Sequence, residues 1–287
     1  MSSSKRPDVE CAILDARDIG EVVRPLSVRE KLGNIAVVRR ALLLAAIAAL
    51  WQGYATWLDN PLLFPTFVET MKAVVTGFLH GELAARTVTS LKVLVMGYGA
   101  GVAVAAVLTS FATLKRVGTD LLSTLTAVFN PLPAIALLPL AMLWFGLGNP
   151  SLLFVLVHSV LWPVSLNAHS GFLSVSQTLR MVGNNYGLRG LPLVTRILVP
   201  AAFPAILTGL RVGWAFAWRT LIAAELVFGV SSGSGGLGWF IFENRNQLET
   251  ANVFAGLVTV TIIGLVVDSV VFRAIEKATV RKWGMQQ

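Results

Sequence analysis

Between Leu121 and Leu179 the chain carries no Asp, Glu, Lys or Arg. Two shorter stretches, Ala41 to Leu58 and Val93 to Leu114, are equally free of charge. A helix needs roughly 20 mostly apolar residues to cross bilayer hydrocarbon, and a charged side chain at its centre is costly. Gaps of this length therefore read as lipid-embedded helices. Only 13% of the residues are charged, about half the share of a soluble domain. Cys11 is the only cysteine, which excludes a disulfide framework and a thiolate metal site. The first forty residues are polar and charged, unlike a cleavable secretion signal, so the first apolar run reads as an uncleaved anchor.

Hydrophobic runs and breakers divide the chain into an all-α, six-span pattern. Residues 1–40 form a polar tail, in which Ser27 and Glu30 have capping-box spacing and suggest an interfacial helix ending at Arg39-Arg40. The first span covers 41–58. An amphipathic helix is expected around Phe67 to Leu79. The core lies within 80–275, with spans near 90–114, 121–145, 152–170, 201–230 and 253–272, before a basic tail at 276–287. Gly97, Gly99 and Gly101 permit close helix contact in the second span. Asn130-Pro131-Leu132-Pro133 should kink or break the third. A turn rich in glycine and serine, Ser231 to Gly238, ends the fifth.

Loop charge tests this count. With six spans, the N-terminal tail, the 115–120 loop, the 171–199 segment and the C-terminal tail share one side, and all are net cationic. The 59–87, 146–151 and 231–250 segments share the other, and they are neutral or slightly acidic. Lys and Arg favour the cytoplasmic side, which places both termini there. The net charge of +8 belongs to this topology and not to nucleic-acid binding.

The 171–199 segment is long for a connection. Ser174 and Gln177 have capping-box spacing and start a short helix reaching about Val182. Gly183 to Gly187 reads as a turn. Leu188, Leu191, Val194 and Leu198 then recur at helical spacing, with Pro192 in the first turn. Two short helices around a glycine turn make a docking surface for a soluble partner; the same spacing also fits a segment lying at the lipid headgroups.

Gly187, then nine residues, then Ile197-Leu198-Val199-Pro200 resembles the cytoplasmic EAA loop of binding-protein-dependent ABC importer permeases. Met181, Val182 and Gly183 occupy the Glu-Ala-Ala positions, so the acidic residue is absent. Pro133 to Leu140 with Trp144-Phe145-Gly146-Leu147-Gly148 resembles the third span of the nitrate/sulfonate/taurine branch. Leu207-Thr208-Gly209-Leu210-Arg211 with Ala223-Ala224-Glu225-Leu226, and Gly236-Leu237-Gly238-Trp239, are similar to its fifth span and following turn. The likeness covers about residues 60–283. It implies a type I ABC importer permease (MetI-like) fold in the bacterial inner membrane. It implies as partners a second permease copy, two ATP-binding subunits and a periplasmic solute-binding protein. ATP and Mg would sit on the ATPase chains, leaving no cofactor here. Coupling to the ATPase falls to Arg180, Met181, Val182, Gly183, Gly187, Arg189 and Pro200, with Arg180 and Arg189 replacing the polar contact of the missing acid. Solutes of the branch are small anions or zwitterions, and an aromatic carboxylate or a pyrimidine-type vitamin precursor also fits.

Charges at membrane depth are candidates for the translocation pathway. Arg219 and Glu225 lie in the fifth span, about 120° apart around the helix, too far to pair with each other. Arg219 suits anion oxygens bidentately; the alternative is a structural pair with Asp268 or with a second copy. Trp214 and Trp218 share a face and either line the pathway or pack. Asn130 sits in the third-span break. Arg211 and Lys92 read as snorkelling side chains. His158 and His169 have no carboxylate or cysteine at ligand spacing, so no metal site is expected. Gly233 to Gly238 matches G-x-G-x-x-G but follows a span and not a strand. No P-loop motif occurs, so ATP hydrolysis falls to another chain. An ion-gradient transporter would need clustered mid-membrane carboxylates, for which only Glu225 and Asp268 are available. A membrane-embedded enzyme would need paired His and Asp, which are absent.

Overall fold

A bundle of long helices with two sharply bent elements forms from these residues, seen in a computed structural model that describes residues 36–228 and 235–282. The helices are α1 (Ala36–Leu58), α2 (Phe67–Leu79), α3 (Leu83–Leu114), α4 (Arg116–Phe129), α5 (Leu138–Phe145), α6 (Asn149–Ser174) and α7 (Gln177–Asn185). They continue as α8 (Leu191–Ala201), α9 (Phe203–Phe228), α10 (Leu237–Asn246) and α11 (Thr250–Val280). Among the described residues four helices are long and apolar enough to cross a membrane, and counting each of two bent pairs as one span brings the number to six. The chain divides into Met1–Trp51 and Gln52–Gln287. The described end of the first unit is the start of α1, where Leu42, Leu43, Leu44, Ile47 and Leu50 are all exposed, as on a lipid-facing helix. No breaker separates Ala36 from Ala41, so α1 runs through Arg39 and Arg40 and does not begin after them. The Ser27–Glu30 signal lies outside the described residues.

In the second unit α6 is the central post. Most of it is buried, whereas α3 and α11 are mainly exposed. The reason is small residues on both neighbours. A Cβ at Gly97 would meet the Leu156 side chain at 2.6 Å, and one at Gly101 would meet Val160 at 2.7 Å. From the other side Gly209 and Gly213 of α9 press on Asn167 and Val164. Each pair is four residues apart and so shares a helix face. Gly99 departs from the expectation: nothing lies within 4 Å of its Cβ position, because two residues rotate it about 200° away from Gly97.

The proline break is complete. The α4 segment and the Ala134–Phe145 segment meet at 87°, so the stretch expected as the third span is two pieces. No 115–120 loop exists. Lys115 alone separates α3 from α4, and residues 116–120 are already helical. The predicted α2 appears as Phe67–Leu79 with a complete capping box: Glu69 N–H donates to Thr66 Oγ1 at 3.2 Å and Thr66 N–H to Glu69 Oε2 at 2.9 Å. That backbone donor holds the Glu69 carboxyl below its usual pKa. The 231–250 segment, expected as a connection, contains α10. Leu237, Gly238, Phe240, Ile241 and Asn244 are its buried face, at helical spacing. Of the expected Ser231–Gly238 turn, residues 231–234 lie outside the described residues.

Candidate functional site: a coupling segment and a mid-bundle cavity

The segment after α6 is a helical elbow. Its first helix is capped by Ser176, whose hydroxyl accepts from Leu179 N–H at 3.4 Å. Ser174, expected in that role, instead closes the last turn of α6 by donating to the Gly171 carbonyl at 2.8 Å. The expected turn at Gly183 is helical too, and α7 extends to Asn185. It ends at Gly187, where φ is +76°. Leu188 N–H donates to the Gly183 carbonyl and Gly187 N–H to the Asn184 carbonyl, the Schellman arrangement that favours glycine at this position.

What attaches the elbow to the bundle is a small apolar core of Phe172, Val175, Val194, Leu198 and Ala202. It joins the end of α6, the α8 helix and the start of α9. Gly183 is buried against Leu193 and Ile197, bringing α7 onto α8. Pro200 lies in the last turn of α8, before the 81° bend into α9. Arg180 turns inward. Its guanidinium donates to the Phe172 and Val175 carbonyls, satisfying the open end of α6. Arg189 is exposed. Met181, 58% exposed, and Val182 face outward from α7. An apolar pair held out in this way, on a helix tied rigidly to α6 and α9, can pass a push into the bundle.

The second feature is a cavity of 380 Å³ between the α4–α5 break, α6 and α9. Asn130, Pro131 and Pro133 line it from the break, His158 and Trp162 from α6, and Phe216, Arg219 and Thr220 from α9. Arg219 is exposed. Its Nε–H donates to the Ala215 carbonyl at 3.0 Å, and its guanidinium carbon lies 5.1 Å over the Phe216 ring. No carboxylate pairs with it among the described residues.

The other pathway candidates lie elsewhere. Asp268 pairs with Arg211, whose Nε and Nη2 donate to its two oxygens. The Arg219–Asp268 pair weighed from the sequence is thus absent. Trp218 explains why: its Nε1–H donates to the Val260 carbonyl at 3.2 Å. With α9 and α11 running in opposite directions, that register sets Arg211 and not Arg219 opposite Asp268. Arg211 is therefore no simple snorkelling residue. Trp214 packs edge-on against Tyr98, 5.4 Å between centroids, and Trp218 is buried in the core. Glu225 is only 3% exposed and does not reach the cavity. It accepts from Ser90 Oγ at 2.8 and 2.9 Å and from Gly238 N–H at 2.9 Å, and Ser90 Oγ accepts from Leu237 N–H at 2.8 Å. It fastens α10 to α3 and α9. The two carboxylates an ion-gradient transporter would use stand apart, each in its own structural contact.

Ser90, Leu237 and Gly238 were not singled out as Glu225 partners, nor Phe216 and Trp162 as cavity residues. Phe216 lies three residues before Arg219 and Trp162 four after His158, spacings that put each pair on one face.

The family described as binding-protein-dependent transport system inner membrane component matches residues 97–282, which include the elbow, the cavity and the Arg211–Asp268 pair. The chain belongs to this family. It is a transport permease. A putative ABC transporter permease protein of Methanocaldococcus jannaschii is 30% identical to it, over 83% of this chain and 90% of that one. A putative aliphatic sulfonates transport permease of Escherichia coli is 29% identical, over 77% and 83%. A nitrate import permease protein of Synechocystis is 28% identical, over 81% and 86%. The chain is thus a multi-pass inner-membrane permease.

Proposed function

We propose that this permease forms the pathway of an ATP-driven importer for a small anionic or zwitterionic solute, with Arg219 contacting the anion. Sulfonate and nitrate permeases among its relatives fit that solute class. The carrying observation is Arg219 itself: a cation in a mid-bundle cavity with both terminal amino groups left without a protein partner among the described residues. A guanidinium is rarely left so at membrane depth unless it faces water or a ligand.

Two cytoplasmic ATPase chains dock on the exposed face of α7 around Met181 and Val182. The missing acid of the loop is replaced by apolar contact, with Arg189 on the same exposed segment. A second permease copy completes the pathway, and a periplasmic binding protein delivers the solute. Both termini lie in the cytoplasm, on the side of the cationic segments.

The test is uptake of radiolabelled solute by proteoliposomes holding the complete transporter. Arg219→Ala should abolish uptake while the complex still assembles and hydrolyses ATP. Unchanged uptake would refute the assignment.

A further inference from the structure

We propose that the Arg219 cavity selects a ring-bearing anion, an aromatic carboxylate or sulfonate, over small aliphatic or inorganic anions. This rests on the reading of Arg219 as the anion contact and concerns what surrounds it.

The cavity carries one charge and aromatic walls. At 380 Å³ it falls in the size range of small-molecule sites, roughly 300–1,000 Å³. It exceeds about twofold the volume, roughly 150 Å³, of an apolar cavity that accepts benzene. Nitrate or a methyl sulfonate would occupy a fraction of it and leave its apolar walls to water. An aromatic ring carried by the anion would cover them.

The walls are arranged for a ring. Trp162 is stacked on Phe129 at 5.6 Å with planes 8° apart, and His158 meets Trp162 edge-on at 5.9 Å. From α9, Phe216 is 46% exposed and carries the Arg219 guanidinium over its face. Among the described residues Arg219 spends only Nε on a hydrogen bond, so its end-on fork can take two oxygens of one anion. The remainder of the solute then meets π faces and edges, which favour offset or edge-on aromatic contact.

The full-length permease, purified with its partner subunits in nanodiscs, tests this by equilibrium binding of sodium benzenesulfonate and sodium methanesulfonate. Benzenesulfonate should bind at least about tenfold more tightly. Phe216→Leu and Trp162→Leu should bring the ratio of the two affinities close to one, while Trp162→Phe keeps most of the advantage. Phe216 is exposed, so its variant carries the test should Trp162→Leu fail to fold. Arg219→Gln should remove both anions. Equal affinity for the two probes would overturn the aromatic preference and leave the anion site standing. Absence of binding by either, or binding that survives Arg219→Gln, would overturn the anion reading itself.

Discussion

Ser90 Oγ and the Glu225 carboxylate, 2.8 Å apart at closest, form a buried contact between α3 and α9 on which the start of α10 is built. The serine donates to the carboxylate and accepts from Leu237 N–H, while Gly238 N–H donates to the same carboxylate. Ser90→Ala strands the Leu237 donor and one carboxylate bond, at a cost of roughly 1–3 kcal/mol. Glu225→Gln should cost less, since an amide oxygen still accepts from Gly238. Thermal unfolding in detergent would show the order, and Gln falling below Ala would contradict it.

The α3–α6 contact predicts a contrast between neighbouring glycines. Gly97→Ala and Gly101→Ala place a methyl within 2.7 Å of Leu156 and Val160, whereas Gly99→Ala meets nothing. Overpacking of this kind costs about 1–3 kcal/mol. Expression and melting temperature should fall for the first two and hold for the third. A loss at Gly99 equal to the others would refute the packing account.

Coupling and stability should separate at adjacent residues. Arg180→Ala uncovers the Phe172 and Val175 carbonyls and should lower the melting temperature. Met181→Asp changes an exposed side chain and should leave stability intact while disconnecting ATP hydrolysis from uptake. Gly187→Pro should disconnect it as well, because proline forbids a φ of +76° and removes the N–H bonded to Asn184. ATPase and uptake rates on the same proteoliposomes decide this. Coupled transport in Met181→Asp would move the docking surface elsewhere.

Arg211 and Asp268 hold α9 to α11 with side chains about half exposed, so solvent screening limits the pair to about 1 kcal/mol or less. Either single alanine should cost about that, and the exchange Arg211→Asp with Asp268→Arg should recover part of it. A double-mutant cycle on unfolding temperature measures the coupling. Strict additivity would mean the pair contributes nothing.

Much of the site was legible in part. Asn130 and Arg219 were both singled out, one for a break and one for a charge, and they line one cavity. The elbow was visible in its glycine and proline punctuation, down to Gly187. Its helix start was misplaced by two residues because Ser174 and Ser176 carry the same capping chemistry, and only the end of α6 decides which is already used. The α10 helix was hidden by the glycine-rich run before it. Trp214 and Trp218 share a face, but a face can point at a pathway or a core with the same spacing.

By itself the sequence determined that this chain lives in a membrane, where its long apolar helices lie, and where the 121–145 stretch is broken. Those are local properties: an absence of charge over a helix length, and proline or glycine chemistry at single positions. Tertiary structure alone decided which polar groups meet. Arg211 faces Asp268, Glu225 is closed in by Ser90, and Arg219 is left to the cavity. Such pairings depend on the register between packed helices, fixed here by contacts such as Trp218 with Val260, and no pattern within one helix encodes it.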